Sequence, residues 1–126
     1  NQRSARLSRN AFFLSLCSLI SVNLTSIIAR AENLLIVKYR DTPVDVDKSY
    51  FEYLDTSRSS FIGGAWYDQS QQYMIIQLQG TNYHYCGLPN STWSQLKSAH
   101  SFGTTYNQLI KGRFDCRLGI VPNYRD

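Results

Sequence analysis

His100 and Ser101 carry the side chains that many hydrolases use as base and nucleophile. Adjacent residues rarely reach the hydrogen-bond geometry that such a pair needs, and no motif supplies an acid to orient the histidine. A serine ahead of Phe102 also suits the N-cap of a helix, where its hydroxyl accepts a backbone N–H. The pattern therefore favours a capping role for Ser101, and we expect a protein without catalytic activity.

The motif Tyr83-His84-Tyr85 places two tyrosines on one face of a predicted strand. Exposed, these rings would form a platform on which bases or other flat ligands stack. If Gly80-Thr81 is a two-residue hairpin loop, however, Leu78 lies opposite Tyr83 and both rings face the core. A three-residue loop would turn them outward. We favour the core position and keep the exposed platform as the alternative.

After residue 31, basic residues are concentrated in the C-terminal third of the chain, whereas residues 41–55 are mainly acidic. Two oppositely charged solvated faces are the simplest explanation of this asymmetry. If the domain binds a partner, the expected contact surface joins the rim of the sheet to the basic end of the second predicted helix. Its residues would be Tyr83, Tyr85, Lys97, Lys111 and Arg113.

Residues 1–31 have the layout of a secretory signal peptide. Arg3, Arg6 and Arg9 form a basic start, a mostly apolar run follows over 11–29, and Ala29-Arg30-Ala31 supplies small residues at alternate positions. We expect cleavage after Ala31 and export to the periplasm or out of the cell. An uncleaved membrane anchor is the alternative, although polar residues within the apolar run weaken it as a permanent span.

The predicted signal peptide changes the charge balance of the chain. Four of the 13 basic residues and none of the 9 acidic ones lie in it, so the remainder has a formal net charge of zero. Phosphate neutralisation supplies most of the affinity of nucleic-acid binding, so this balance disfavours such a partner. We expect a partner protein or an envelope component instead, with membrane contact only through an uncleaved signal.

Two cysteines, Cys86 and Cys116, remain once Cys17 is removed with the signal. An even pair in a small exported domain favours a disulfide, and two unrelated buried thiols are the alternative. Two cysteines and two histidines without close spacing do not make a metal site. We expect neither a metal nor a cofactor.

Hydrophobic periodicity predicts an α+β domain. A short strand is expected over 34–37, an irregular arm over 41–58, and an antiparallel meander with strands over 60–67, 73–79 and 82–88. Asn90 can cap a first helix, Ser101 a second, and Gly112 can end the second. The expected fold is a three- to four-stranded antiparallel sheet with two C-terminal helices packed on one face.

The order and spacing of residues from Ser59 to Lys111 resemble the KTSC domain, a small module also found at the C-terminus of some lysyl-tRNA synthetases. The motifs are Ser59-Ser60, Tyr67-Asp68, Gly80, Tyr83-x-Tyr85, Leu88-Pro89, Ala99-x-Ser101-x-Gly103 and Ile110-Lys111. The resemblance implies a domain over 57–117; the strand and arm, over 32–56, and a tail over 118–126 lie outside it. It also implies RNA or single-stranded nucleic-acid binding as an alternative function. Our first hypothesis is a small exported, non-catalytic binding module.

Overall fold

A four-stranded antiparallel sheet forms the centre of the protein in a computed structural model that describes residues 33–124. The predicted signal peptide lies outside the described residues. The strands follow chain order: β3 Phe51–Leu54, β4 Ile62–Asp68, β5 Tyr73–Leu78 and β6 Thr81–Cys86. Two shorter strands, β1 Leu34–Leu35 and β2 Val44–Asp45, pair separately and antiparallel. The predicted α+β fold with an antiparallel meander is confirmed.

The predicted irregular arm contains a strand of the main sheet. β3 pairs antiparallel with β4, placing Phe51 opposite Asp68 and Tyr53 opposite Trp66. Phe51 is buried, and the rings of Tyr53 and Trp66 contact each other with centroids 5.4 Å apart. The prediction of an irregular segment was therefore wrong over residues 51–54, because these residues form a strand by pairing with β4, a tertiary contact that a single sequence does not show.

The hairpin between β5 and β6 turns one residue earlier than predicted. Leu78 pairs with Thr81, so the loop is Gln79-Gly80 rather than Gly80-Thr81. Both loop residues have positive φ, 49° and 83°, as a type I′ turn requires. Tyr83 therefore lies opposite Ile76 instead of Leu78. Ile76 and Leu78 share one face of β5, so the tyrosines keep the predicted side of the sheet.

Two helices follow the sheet, α1 Asn90–Lys97 and α2 Phe102–Leu109. Asn90 is the first helical residue and not the cap; Pro89 takes the cap position without a side-chain hydrogen bond. Ser101 caps α2 as predicted, because its hydroxyl accepts the backbone N–H of Thr104 at 3.3 Å. Beyond α2 the chain turns at Gly112, whose φ is 76°.

The sheet carries a hydrophobic cluster on each face, because successive residues of β5 point to opposite sides. Met74 and Ile76 face the helices, where Trp93 packs against Tyr67 with ring centroids 5.0 Å apart. Tyr73 and Ile75 face the other way, and the second cluster is completed by buried side chains that include Val37, Val44, Phe51 and Cys86. The central strand is therefore buried on both faces.

A disulfide joins β6 to the segment after α2. The sulfur atoms of Cys86 and Cys116 are 2.10 Å apart, and the backbone N–H of Cys86 donates to the carbonyl of Phe114 at 2.8 Å. Cys86 is buried and Cys116 packs against the same cluster. The covalent link and the hydrogen bond together hold residues 114–116 against the end of β6.

Candidate functional site

A cleft of about 640 Å³ runs along the outer edge of β6. We call it the β6-edge cleft. The residues that contribute its main chemistry are Tyr39, Tyr83, His84, Tyr85, Arg113 and Arg117. They come from three segments: the turn after β1, strand β6 and the chain that follows α2. The volume lies within the range of about 300–1,000 Å³ that is usual for ligand sites.

The outer edge of β6 is covered at both ends and open between them. The carbonyl of Asn82 accepts the N–H of Lys38, and the N–H of Cys86 donates to Phe114. Outward-facing backbone groups alternate along an antiparallel strand, so His84 also presents its N–H and C=O to this edge. Within residues 33–124 these two groups have no hydrogen-bond partner across the open edge.

Tyr83 and Tyr85 form the wall of the cleft on the helix side of the sheet. Both pack against the helix-side core and are half-buried. The Tyr85 hydroxyl is hydrogen-bonded to that of Tyr106, and burial together with this bond raises the pKa of Tyr85. The Lys38 ammonium lies 5.6 Å from the centre of the Tyr83 ring. The hydrogen bond to Tyr106 thus holds Tyr85 at the rim of the cleft, and the Tyr83 ring lies near the Lys38 ammonium at the opening of the cleft.

Tyr39 forms the opposite lip, and its ring is 81% exposed. Its backbone has φ 69°, a left-handed conformation that a bulky residue rarely adopts. The turn is held by the bond from the Lys38 N–H to Asn82 and by a bond from the Arg40 N–H to the carbonyl of Val37 at 3.1 Å. The fold therefore presents a large aromatic ring to solvent at a conformational cost.

The charged groups of the cleft are mostly cationic. Arg117 forms an ion pair with Asp115, with Nη2 and Oδ2 2.6 Å apart, and its hydrogen bonds lower the pKa of that carboxyl. In the described part of the chain, the Arg113 guanidinium has no hydrogen-bond or ion-pair partner. With Lys38 at the opening, the cleft combines three cations with one carboxylate.

The His84 side chain points away from the tyrosines. Its Nδ1 is hydrogen-bonded to the Tyr73 hydroxyl at 2.8 Å. Burial lowers the pKa of His84, the charge of Arg40 lowers it further, and Asp115 partly opposes both. The lowered pKa favours the neutral imidazole, which lies beside Tyr73 of the second cluster, and the backbone of His84 faces the open edge.

The structure brings together three of the five predicted binding residues. Tyr83, Tyr85 and Arg113 line the β6-edge cleft, whereas Lys97 and Lys111 do not. The Lys97 ammonium forms an ion pair with Glu52 of β3 at 2.9 Å. Lys97 was predicted as a binding residue because the sequence does not show that Glu52, on the opposite edge of the sheet, lies beside α1.

Sequence reasoning missed Tyr39 and Arg117 as lining residues. A signal for Tyr39 was present, because Lys38-Tyr39-Arg40 alternates basic and aromatic residues as binding surfaces often do. Its placement depends on the bridge between Val37 and Asn82, which joins segments far apart in the chain. Arg117 reaches the cleft because the disulfide at Cys116 holds its segment there.

His100 and Ser101 line a second depression of about 550 Å³ between the loop before β4 and the start of α2. The Ser101 hydroxyl is engaged in capping α2. The Arg58 guanidinium donates to the carbonyls of Ala99 and His100 and lies over the Phe102 ring. No acidic side chain is among the described residues that line it, so the groups of a catalytic triad are not assembled there.

Several residues of the sequence motifs support the backbone. Asp68 is buried, and its carboxylate accepts the N–H and hydroxyl of Ser70 at 3.0 and 2.7 Å and the Tyr124 hydroxyl at 2.8 Å. The Ser59 hydroxyl accepts the N–H groups of Phe61 and Ile62. Asp68 thus stabilises the turn that follows β4.

Within residues 33–124, no helix is long and apolar enough to cross a membrane. In the same range, no three side chains of the histidine, cysteine and acidic types are grouped as ligands of a metal ion.

Comparison with known proteins agrees with the motifs. The sheet and its two helices define a small α+β domain with a cleft at one edge strand, and residues 58–114 match the family model of the KTSC domain. A solved structure, KTSC domain protein YPO2434 from Yersinia pestis, is 30% identical over 52% of this chain and 92% of that one, with a TM-score of 0.48. No curated protein matches the chain. The chain belongs to the KTSC domain family.

Proposed function

We propose that the protein is a non-catalytic binding module and that its ligand lies in the β6-edge cleft. The observation that carries this proposal is the convergence of exposed aromatic surface, an unpaired guanidinium and an unpaired strand edge in one cleft. The exposed ring of Tyr39 and the unpaired guanidinium of Arg113 add little to the stability of the fold. Aromatic and arginine side chains are also the types that contribute most to binding interfaces.

The partner we propose is a protein or envelope component met after export. The basic start, apolar run and Ala-x-Ala site of residues 1–31 support export, and the disulfide suits an oxidising compartment. Intact mass of the protein recovered from its native compartment tests this. We expect a species that begins at Glu32 and lacks free thiols at Cys86 and Cys116; a species that retains residues 1–31 would contradict cleavage.

A pair of photo-cross-linking variants tests the cleft as the binding site. A benzophenone amino acid replaces Tyr39 at the cleft in one variant and Tyr53 at the opposite sheet edge in the other. Tyr53 is a matched control, because it is also an exposed tyrosine, at 56%, but lies on β3. We expect a discrete adduct from position 39 in the native compartment and none from position 53. Equal labelling from both positions, or none from either, would refute the proposed site.

Nucleic-acid binding is the second candidate. The observation in its favour is the exposed Tyr39 ring with the Lys38 ammonium 5.2 Å from its centre, which is a stacking surface beside a cation. The carboxylate of Asp115 in the same cleft and the balanced charge of residues 32–126 oppose it. A gel-shift series across salt concentrations decides the question: absence of a complex even at low salt removes this candidate.

A further inference from the structure

We propose that the ligand of the β6-edge cleft is a short, extended, acidic peptide segment of a partner protein, which pairs with the backbone of His84. This inference rests on the proposed function and adds the chemical class of the ligand. It combines the open strand edge, the tyrosine wall and the cationic character of the cleft.

The unpaired N–H and C=O groups of His84 favour a peptide as the ligand of the cleft. A residue lying in extended conformation beside His84 can donate its N–H to the His84 carbonyl and accept the His84 N–H through its own carbonyl. A peptide backbone repeats this donor and acceptor at the spacing of a strand. Nucleic-acid backbones and lipid headgroups present acceptors without the matching amide donor.

The covered ends of the edge limit the length of the segment. Asn82 is paired with the turn at Lys38, and Cys86 is paired with Phe114. Four residue steps separate the two, a distance of about 13 Å at the rise of a strand. Three or four residues of a bound chain fit between these points before the chain must turn away. The same limits leave too little free edge for two copies of this protein to pair strand to strand.

The positive charges of the cleft favour acidic side chains on the bound peptide. The Arg113 guanidinium is unpaired among the described residues, and the Lys38 ammonium lies over aromatic rings at the opening. Arg117 already neutralises Asp115, so an incoming carboxylate meets net positive charge. Arginine binds carboxylates through two parallel hydrogen bonds, which makes Arg113 the expected anchor of one acidic residue.

The test measures binding of an acetylated and amidated hexapeptide that alternates threonine and glutamate, by fluorescence anisotropy with the purified protein. Two further peptides and one series complete the design: a peptide with glutamine for glutamate, a peptide with lysine for glutamate, and a series N-methylated at each position in turn. We expect the glutamate peptide to bind, the lysine peptide to bind at least roughly tenfold more weakly, and the glutamine peptide to lie between them. N-methylation should weaken binding most at the one position whose amide donates to the His84 carbonyl, since the neighbouring outward-facing residues, Asn82 and Cys86, are already paired.

Two charge-reversal variants complete the test. Arg113→Glu should weaken the glutamate peptide by at least roughly tenfold, because it replaces the anchor by a like charge. Lys111→Glu makes the same change in net charge outside the cleft. It should cost less than roughly threefold at about 0.15 M salt, because Lys111 does not line the cleft and salt screens the field of an exposed charge that makes no direct contact. Equal losses in both variants would overturn the anchoring role of Arg113.

Different results would contradict the acidic peptide as the ligand and the β6-edge cleft as the binding site. Failure of the glutamate peptide to bind at about 1 mM, or an N-methyl series in which no position weakens binding more than the others, would overturn the peptide inference. A cross-link from position 39 would still be expected in that case, because it tests the cleft and not the class of its ligand. An oligothymidylate of six nucleotides that binds where the peptide does not would also overturn it, in favour of nucleic acid. Absence of any adduct at position 39 would instead refute the cleft itself.

Discussion

Tyr39 is exposed and has a strained backbone, a combination that the packing of the core does not require. Its ring is 81% exposed and its backbone has φ 69°. Bulky residues rarely adopt that region, and such strain persists where the surrounding structure enforces it. Here the enforcing contacts are the hydrogen bonds of Lys38 and Arg40 on either side. The proposed function gives the exposed ring a role that the stability of the domain does not.

Replacing Tyr39 by glycine should separate stability from binding. Glycine adopts positive φ without strain, so we expect the free energy of unfolding of Tyr39→Gly to stay within about 1 kcal/mol of the wild-type value. Affinity for the cleft ligand should fall, because the lip of the cleft is lost. Tyr53→Gly, within β3, is the control and should be the less stable variant in urea denaturation. The reverse order of stability would contradict this account of Tyr39.

His84 should make the protein less stable in mild acid. Its folded-state pKa is lowered by burial and by Arg40. As the pH falls below the unfolded-state pKa of about 6.5, the unfolded chain takes up a proton that the folded chain resists, so the free energy of unfolding decreases. The loss ends once the pH is below the lowered folded pKa. His84→Gln should remove this part of the pH dependence, measured by thermal unfolding between neutral pH and mild acid. Identical pH profiles would contradict it.

At the scale of elements, the Glu52 carboxylate links β3 to α1. Glu52 accepts the indole N–H of Trp93 at 3.0 Å and pairs with the Lys97 ammonium at 2.9 Å. These contacts lower the pKa of Glu52, with the Lys97 hydrogen bond as the first cause. Trp93 is fully buried, so its N–H depends on this acceptor at the edge of the core. The edge strand and α1 therefore stabilise each other.

Two substitutions at Glu52 distinguish the ion pair from the indole hydrogen bond. Glu52→Gln keeps an acceptor for Trp93 and loses only an exposed ion pair, which should cost less than about 1 kcal/mol. Glu52→Ala leaves the indole N–H without its acceptor and should cost about 1–3 kcal/mol. Chemical denaturation measures both. Equal costs would show that the indole bond contributes nothing.

The sequence predicted those elements whose signals are local. The β4–β6 meander follows from alternating apolar residues and turn residues, and Ser101 caps α2 because a cap depends only on its neighbours. β3 was missed because its pairing with β4 and the contact from Glu52 to α1 are tertiary. The hairpin was placed one residue late because Gly80 fits either loop position, and the sequence does not show that Gln79 adopts positive φ.

Part of the candidate site, Tyr83, Tyr85 and Arg113, was predicted from motifs and charge. The Tyr83-x-Tyr85 motif occupies one strand, and Arg113 was grouped with it as the basic end of the second helix. Tyr39 and Arg117 join the cleft through a bridge at Asn82 and a disulfide, which link distant segments. The cysteine pair predicted the disulfide, but a single sequence shows neither that Arg117 then lies beside β6 nor that the segment at Val37 bridges to Asn82.

At the scale of the whole molecule, the disulfide connects the site to the fold. Cys86 ends β6, and Cys116 begins the segment that carries Arg117 into the cleft. The link therefore stabilises the domain and holds one wall of the site in place. Its sequence separation is 30 residues. Export into an oxidising compartment, as we propose, would maintain it.

Removing the disulfide should lower stability substantially. Closure of a loop of this length contributes roughly 3–4 kcal/mol in the loop-entropy model. We expect the urea midpoint of the oxidised protein to fall on reduction. The double variant Cys86→Ala, Cys116→Ala should already be destabilised and should not respond to reductant. A reductant-dependent midpoint in the double variant, or an unchanged one in the wild type, would contradict this role.

Exchange of the His84 amide hydrogen, followed by NMR, tests the open edge of β6 most directly. In the free protein we predict a much lower protection factor for His84 than for Tyr83 and Tyr85, whose amides pair with β5. Saturation with the acidic hexapeptide should slow exchange at His84 by at least roughly tenfold. A His84 amide as protected as its neighbours in the free protein, or unchanged in the saturated complex, would contradict the central claim that this edge is a binding site.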